Sequence, residues 1–175
     1  ALGGKLGDGL RAMFCDSIEL SGANWTTDFP EEFQRRRGYR LEPWYPFALY
    51  DPHQGYRDFL PDNPKFADEV RRVRYDFNKT FVELFHERFI RVFHAWCHQN
   101  GVLSRYQAYG GPSLMDMLTG YLIPDIPEGD NWIFHPPGNQ LPLNQIRYAV
   151  WNKYASSAAH LTEKRLVSCE AMLAV

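Results

Sequence analysis

The stretch FCDSIEL, residues 14–20, combines the apolar pattern of a buried strand with a carboxylate at its end. The apolar side chains within it predict a strand, which we place at residues 11–20. A polar and aromatic loop follows directly, so Glu19 stands where a strand gives way to a loop. In parallel βα folds such strand ends carry functional groups. Glu19 is therefore a candidate reactive side chain.

Three further strands and several helices follow the first one along the chain. The strands are predicted at residues 102–111, at the start of 122–132, and at 165–172, where RLVSCEAM places Glu170 near its end. An apolar residue every three or four positions predicts a long helix from Phe66 to Asn100, with a bend or break expected because of its length. Shorter helices are predicted at 30–37, with Gly38 as its stop, at 113–119, with Ser113 as its cap, and at 143–164. Gly101 is expected to end the long helix. Alternating strands and helices indicate a parallel α/β sheet.

Composition excludes several classes of protein. The chain has 175 residues, a net charge of −2 and no basic surplus, which argues against a nucleic-acid partner. The sequence contains no run of about 18 apolar residues, so no membrane span is predicted. The opening ALGGKLGDGL does not look like a signal peptide. Cys15, Cys97 and Cys169 are scattered and odd in number, so we expect small buried side chains rather than a disulfide framework.

Glu19 and Glu170 are separated by 151 residues in sequence (170 − 19) but would converge on one face of a barrel. Two convergent carboxylates are what cleavage of a glycosidic bond requires. One carboxyl group protonates the leaving oxygen, and the other activates water or attacks the sugar. The two residues are thus the predicted catalytic pair.

Other side chains near the predicted strand ends are candidates for contact with a sugar. Trp25 offers a flat ring close in sequence to Glu19, and Gln107 and Tyr109 end the second strand. Glu128 is the candidate third carboxylate, and Asp16 is expected to contact backbone amides, a metal or substrate.

Two sets of residues suggest metals without fixing a ligand set. Asp125, Glu128 and Asp130 form an oxygen-rich cluster in the sequence, of the kind that calcium prefers. His94 and His98 are spaced i, i+4 on the long helix, which would suit a transition metal. The second set keeps a metal-dependent hydrolase open as an alternative.

Four segments in the same order resemble the catalytic region of glycoside hydrolase family 106, the α-L-rhamnosidases. They include the stretches FCDSIELSGANW, QNGVLSRYQAYGGP, PDIPEGDNW and HLTEKRLVSCEAM. The resemblance implies a (β/α)8 barrel in a larger secreted bacterial enzyme, an inverting mechanism and a calcium ion near the sugar. It also matches Glu19 to the general acid and Glu170 to the general base.

The resulting prediction is an α/β fold that forms part of a (β/α)8 TIM-type barrel with long βα loops. Residues 1–175 are expected to be a single partial catalytic region with a long loop insert at 21–64. The expected activity is inverting hydrolysis of terminal α-L-rhamnosyl residues from a plant polysaccharide or glycoside. A glycosidase for another sugar and a non-catalytic carbohydrate-binding barrel remain alternatives. The resemblance places the enzyme outside the cell or in the periplasm, with a carbohydrate substrate and the remainder of a larger chain as partners.

Overall fold

A computed structural model describes residues 4–19, 24–49, 60–110, 116–132 and 141–172. The chain divides into two compact units, one formed by Ala1–Glu19 with His86–Val175 and the other by Leu20–Phe85. The first unit contains the sheet and is called the sheet unit. The second is called the helical unit.

The sheet unit is built on four parallel strands that lie side by side in chain order. The strands are β1 (Ala12–Cys15), β2 (Leu103–Tyr106), β3 (Ile126–Trp132) and β4 (Ser168–Met172). Sequential parallel strands are the arrangement of half of a (β/α)8 barrel. The predicted α/β class is confirmed, and the described residues form half of such a barrel rather than a closed one.

Helices connect these strands, as parallel pairing requires. A 3-10 turn, Leu6–Asp8, precedes β1, and a π-helical turn, His86–Ile90, leads into α4 (Arg91–Gln99). The other two helices are α5 (Met117–Leu122) and α6 (Leu141–Leu161). Helix α6 packs on β3 so closely that a Cβ on Gly129 would lie 1.8 Å from the Asn152 side-chain oxygen. Among the described residues, none of the helices has the length and apolarity needed to cross a bilayer.

The helical unit has a core of its own. Its elements are α1 (Phe29–Arg37), a 3-10 turn (Glu42–Trp44), α2 (Tyr45–Ala48) and α3 (Pro64–Phe85). Pro30 lies in the first turn of α1, and Gly38 ends that helix at a φ of +82°. Seven buried side chains form one cluster: Phe29, Phe33, Leu41, Ala48, Val73, Phe77 and Leu84. The segment 21–64 therefore contains packed helices, where the sequence predicted one helix in a long loop.

The largest differences from the predicted elements lie at the strand ends. Strand β1 ends at Cys15, so Glu19 lies in the irregular segment beyond it. The PEGD segment, predicted as a polar loop, lies inside β3. The strand can hold Glu128 fully buried because the carboxylate pairs with Arg105 in the same sheet. Helix α5 begins at Met117 with Asp116 as its cap, whereas the predicted cap, Ser113, lies outside the described residues.

Two other expectations concern the long helix and the cysteines. The predicted helix 66–100 is interrupted, as expected, and its break is the π-helical turn. Gly101 then ends α4 at a φ of +73°. The expected burial of the cysteines is right for Cys97 alone. Cys15 is half-buried, and Cys169 is exposed.

Candidate active site

Strand alternation divides the side chains of the sheet into two faces. Glu128 and Asp130 share the inner face of β3, while Gly129 between them faces α6. The register pairs Glu128 with Ser168 and Asp130 with Glu170. Inner side chains of the neighbouring strands therefore lie in layers, one nearer the amino ends of the strands and one nearer the carboxyl ends.

The layer nearer the amino ends is held by a buried ion pair. Glu128 is fully buried, and Arg105 donates hydrogen bonds to it, one of them at 2.6 Å between Nη2 and Oε1. The Ser168 hydroxyl also donates to this carboxylate at 2.5 Å. Phe14 packs 4.5 Å from the Arg105 guanidinium. This layer joins β2, β3 and β4 beneath the layer nearer the carboxyl ends.

The layer nearer the carboxyl ends forms a pocket of about 260 Å³. Its lining side chains are Asp16, Ser17, Glu19, Gln107, Tyr109, Asp130 and Glu170. This volume lies slightly below the range of about 300–1,000 Å³ that is usual for ligand sites. The structure thus brings both predicted catalytic glutamates into one pocket, together with three of the five predicted substrate-binding residues.

A chain of hydrogen bonds links the two glutamates. Gln107 is buried, and its Nε2 donates to Glu170 Oε2 at 2.8 Å. Its Oε1 accepts a bond from the Ser17 backbone N–H at 3.3 Å. The Ser17 hydroxyl donates in turn to Glu19 Oε1 at 3.1 Å. Gln107, predicted as a substrate contact, is therefore a side chain that holds both carboxylate segments in place.

Glu19 and Glu170 have different surroundings within this pocket. Glu19 is exposed, while Glu170 is half-buried beside Gln107. Gly110 has a φ of +79° and lies against Glu19, and a Cβ at that position would approach Glu19 Cγ to 2.9 Å. A glycine is needed here both for its backbone conformation and for the space it leaves.

Tyr109 and Asp130 complete the pocket. The Tyr109 side chain lies beside the carboxylates of Glu19 and Asp130, and its ring packs 4.9 Å from Trp151. Burial, followed by the charges of Asp130 and Glu19, raises the pKa of Tyr109 above its ordinary value. Tyr109 therefore remains a neutral hydrogen-bond donor at neutral pH.

Asp130 is the pocket carboxylate that sequence reasoning did not place. It was grouped with Asp125 and Glu128 as a loop cluster, but the three side chains occupy three different environments. Glu128 belongs to the ion pair beneath the pocket, and Asp125 accepts a bond from His98 at the amino end of β3. The signal that would have found Asp130 is its spacing of two from Glu128 in a strand.

Of two other predicted residues, Asp16 lies in the sheet unit and Trp25 in the helical unit. Asp16 lines the pocket, and its carboxylate accepts a bond from the Ser17 backbone N–H at 2.7 Å, one of the alternatives predicted for it. Trp25 belongs to the helical unit, where it stacks on Phe29 at 5.2 Å and meets the edge of Tyr45. Its ring thus anchors a local aromatic cluster.

Carboxylates at the carboxyl edge of parallel strands, around a pocket of this size, define the class of site that acid–base hydrolases use. The chain belongs to the glycoside hydrolase 106 family, described as alpha-L-rhamnosidase, whose sequence profile matches residues 1–175.

Two relatives are similar to nearly all of the chain. A protein of Formosa agariphila named "Putative beta-glucuronidase" is 27% identical over 175 residues, which are 99% of this chain and 13% of that protein. The structure of a rhamnosidase from Novosphingobium sp. PP1Y shares 28% identity, with a TM-score of 0.68 over 93% of this chain and 14% of the rhamnosidase. The chain therefore spans about one seventh of each relative's length.

Proposed function

We propose that this chain carries the acid–base centre of a glycosidase that removes terminal α-L-rhamnosyl residues with inversion. The observation that carries the proposal is the shared pocket of Glu19 and Glu170, with both segments held by Gln107. Family membership supports the same chemistry. Two carboxyl groups on opposite sides of one sugar are the minimum that glycosidic hydrolysis needs.

In this scheme Glu19 is the general acid and Glu170 the general base. Glu19 lies at the exposed side of the pocket, where a leaving group can depart into solvent. Glu170 is held by a short bond from Gln107, which leaves its other oxygen for an attacking water. An inverting enzyme needs about 6.5–9.5 Å between its carboxyl groups so that this water fits.

The remaining lining residues are assigned to the sugar. Tyr109 and Asp130 present a hydroxyl donor and an acceptor side by side, which suits the vicinal hydroxyls of a pyranose. Asp16 is a second acceptor at the same edge. Glu128 acts from beneath, since its pairing with Arg105 fixes the strands that carry Asp130 and Glu170. Trp25, predicted as a sugar contact, has 41% of its surface exposed within the helical unit.

Calcium, which the family resemblance implies, is compatible with this pocket. Its lining offers carboxylate and amide oxygens, the ligands that this ion prefers. Asp130 and Asp16 would hold the ion, since neither is assigned to proton transfer. Bound there, calcium would orient sugar hydroxyls and offset the negative charge of the site.

A glycosidase specific for a uronic acid is the second candidate, because one relative is named as a glucuronidase. The charge of the pocket favours the neutral sugar. The described lining contains four carboxylates and no lysine or arginine, so without calcium a sugar carboxylate would meet like charges at close range. A deoxy sugar such as rhamnose adds no charge and leaves the acid–base pair as it is.

We also propose that the active protein is a larger secreted or periplasmic bacterial enzyme. The chain spans only a small part of its relatives, and its sheet has the order of half a barrel. Phe14 lies on the inner face of β1 with 42% of its surface exposed, which is consistent with coverage by the rest of a barrel. A rhamnosylated glycan or glycoside is the proposed partner.

The test uses the protein encoded by the complete reading frame and aryl rhamnosides with good and poor leaving groups. Glu170→Gln should lose activity on both substrates by at least 10²-fold, the lower range for acid–base groups. Glu19→Gln should lose activity on the poor leaving group and recover much of it on the good one. The exposed Glu69→Gln on α3 is the matched control and should keep full activity.

Three outcomes would contradict the proposal. Turnover of an aryl glucuronide in preference to the rhamnoside would favour the second candidate. Sugar binding without turnover, unchanged in both glutamine variants, would indicate a carbohydrate-binding protein instead. Full activity of either variant would remove that glutamate from the mechanism. Adding and removing a calcium chelator tests the ion separately.

A further inference from the structure

A second cluster of titratable side chains lies at the amino edge of the sheet. His94 and His98 project from consecutive turns of α4, and Asp125 directly precedes β3. One ligand atom from each residue lies within 4.8 Å of the other two. Among the described residues, no other group of three His, Cys, Asp or Glu side chains brings its ligand atoms this close together.

We propose that His94, His98 and Asp125 form a binding site for a divalent transition metal of the zinc class. This proposal is independent of the glycosidase activity proposed above. Imidazole nitrogens and a carboxylate oxygen are ligands that zinc, cobalt and nickel accept. Water would fill the fourth position, because about half of the His98 side chain is exposed.

The separations between the ligand atoms already suit one ion. His98 Nε2 lies 2.9 Å from Asp125 Oδ2, and His94 Nδ1 lies 3.6 Å from the same oxygen. Two ligands at about 2.05 Å from a tetrahedral ion are about 3.3 Å apart. The two observed separations lie on either side of this value. Metal binding would replace the hydrogen bond between His98 Nε2 and Asp125 and the contact of His94 Nδ1 with Ser104 Oγ at 2.7 Å.

Asp125 is oriented by partners other than the histidines. The backbone N–H of Ser104 donates to Asp125 Oδ2 at 2.8 Å, and the Ser104 hydroxyl donates to the same oxygen at 3.0 Å. Such second partners fix the direction of a ligand carboxylate. Hydrogen bonds from Ser104 also lower the pKa of Asp125, although burial acts in the opposite direction and is the largest single influence.

The position of the cluster indicates that its metal would be structural. Asp125 and Asp130 are five residues apart along β3, which corresponds to about 16 Å at 3.3 Å per residue. Asp125 and Ser104 also occupy outward positions, whereas Gln107, Glu128 and Asp130 occupy inward ones. A metal here would join α4 to the amino ends of β2 and β3, away from the glutamate pocket.

The test titrates the chelator-treated, complete enzyme with cobalt(II) and follows its visible absorption, which reports nitrogen and oxygen ligation. We expect a saturable band at one equivalent, a higher midpoint of thermal unfolding, and no displacement by excess calcium. His98→Ala should weaken cobalt binding more than tenfold, since even outer partners of a ligand are worth 10–100-fold. The exposed His160→Ala on α6 is the matched histidine control and should bind normally.

Two results would overturn the site. One is the absence of a saturable band in the unmodified enzyme. The other is a band of equal affinity in His98→Ala and in the unmodified enzyme. His94→Gln provides a second variant on the same helix, so the proposal can be tested even if one substitution impairs folding.

Discussion

Replacing Gln107 with methionine tests how the pocket positions its base. Methionine keeps nearly the same length and volume but removes both hydrogen bonds, the one to Glu170 at 2.8 Å and the one from the Ser17 N–H at 3.3 Å. A hydrogen bond to a charged group contributes about 1.5–3 kcal/mol. If that contribution is expressed in the transition state, kcat/KM falls by roughly 10- to 150-fold.

The kinetics distinguish two roles for Gln107. A positioning residue lowers kcat with little change in KM, whereas a direct sugar contact raises KM. Because Gln107 is bonded to the proposed base, the loss should be the same for aryl rhamnosides with good and poor leaving groups. The control is Gln99→Met, an exposed glutamine at the end of α4.

Retention of kcat/KM within threefold of the unmodified enzyme by a normally folded Gln107→Met variant would contradict a positioning role for Gln107. Disappearance of the loss with an activated leaving group would contradict its action on Glu170. That second pattern would connect Gln107 to the proposed general acid, Glu19, through Ser17 rather than to Glu170.

Two further substitutions test the surroundings of the glutamates. Gly110→Ala should lower the free energy of unfolding by about 1–2 kcal/mol because of the left-handed backbone at this position. It should also lower kcat by displacing Glu19. The control is Gly38→Ala, which has a similar φ but open space around it, so its thermal unfolding should change while its kinetics do not. Equal kinetics for the two alanine variants would contradict the role of Gly110. Arg105→Met leaves the buried Glu128 carboxylate without its cation and should destabilise the fold by roughly 3 kcal/mol in denaturant unfolding. Adding Glu128→Met should restore part of the lost stability. An additive loss in the double variant would argue against the pairing.

The sequence predicted the parts of the fold that depend on local patterns. Apolar periodicity located the long helix, and Gly38 and Gly101 marked helix ends because both adopt left-handed backbone conformations. The order of strands and helices was sufficient to predict a parallel sheet. The ends of strands were less predictable, since β1 stops at Cys15 although apolar residues continue beyond it.

Long-range pairing explains what the sequence did not reveal at the site. PEGD looks like a turn because charged and glycine residues are uncommon in strands. Glu128 can be buried because Arg105, 23 positions away, pairs with its carboxylate and Ser168 donates a hydrogen bond to it. Once Glu128 is inside β3, Asp130 follows on the same face, opposite Glu170. Register between distant strands supplies this information, and it is not visible in either segment alone.

The anomeric configuration of the first-formed product tests the central claim most directly. Hydrolysis of an aryl α-L-rhamnoside by the complete enzyme can be followed by proton NMR before mutarotation mixes the anomers. Inversion across the Glu19–Glu170 pocket predicts that β-L-rhamnose is released first. Initial release of α-L-rhamnose would contradict the assignment of these two glutamates as a general acid and a general base.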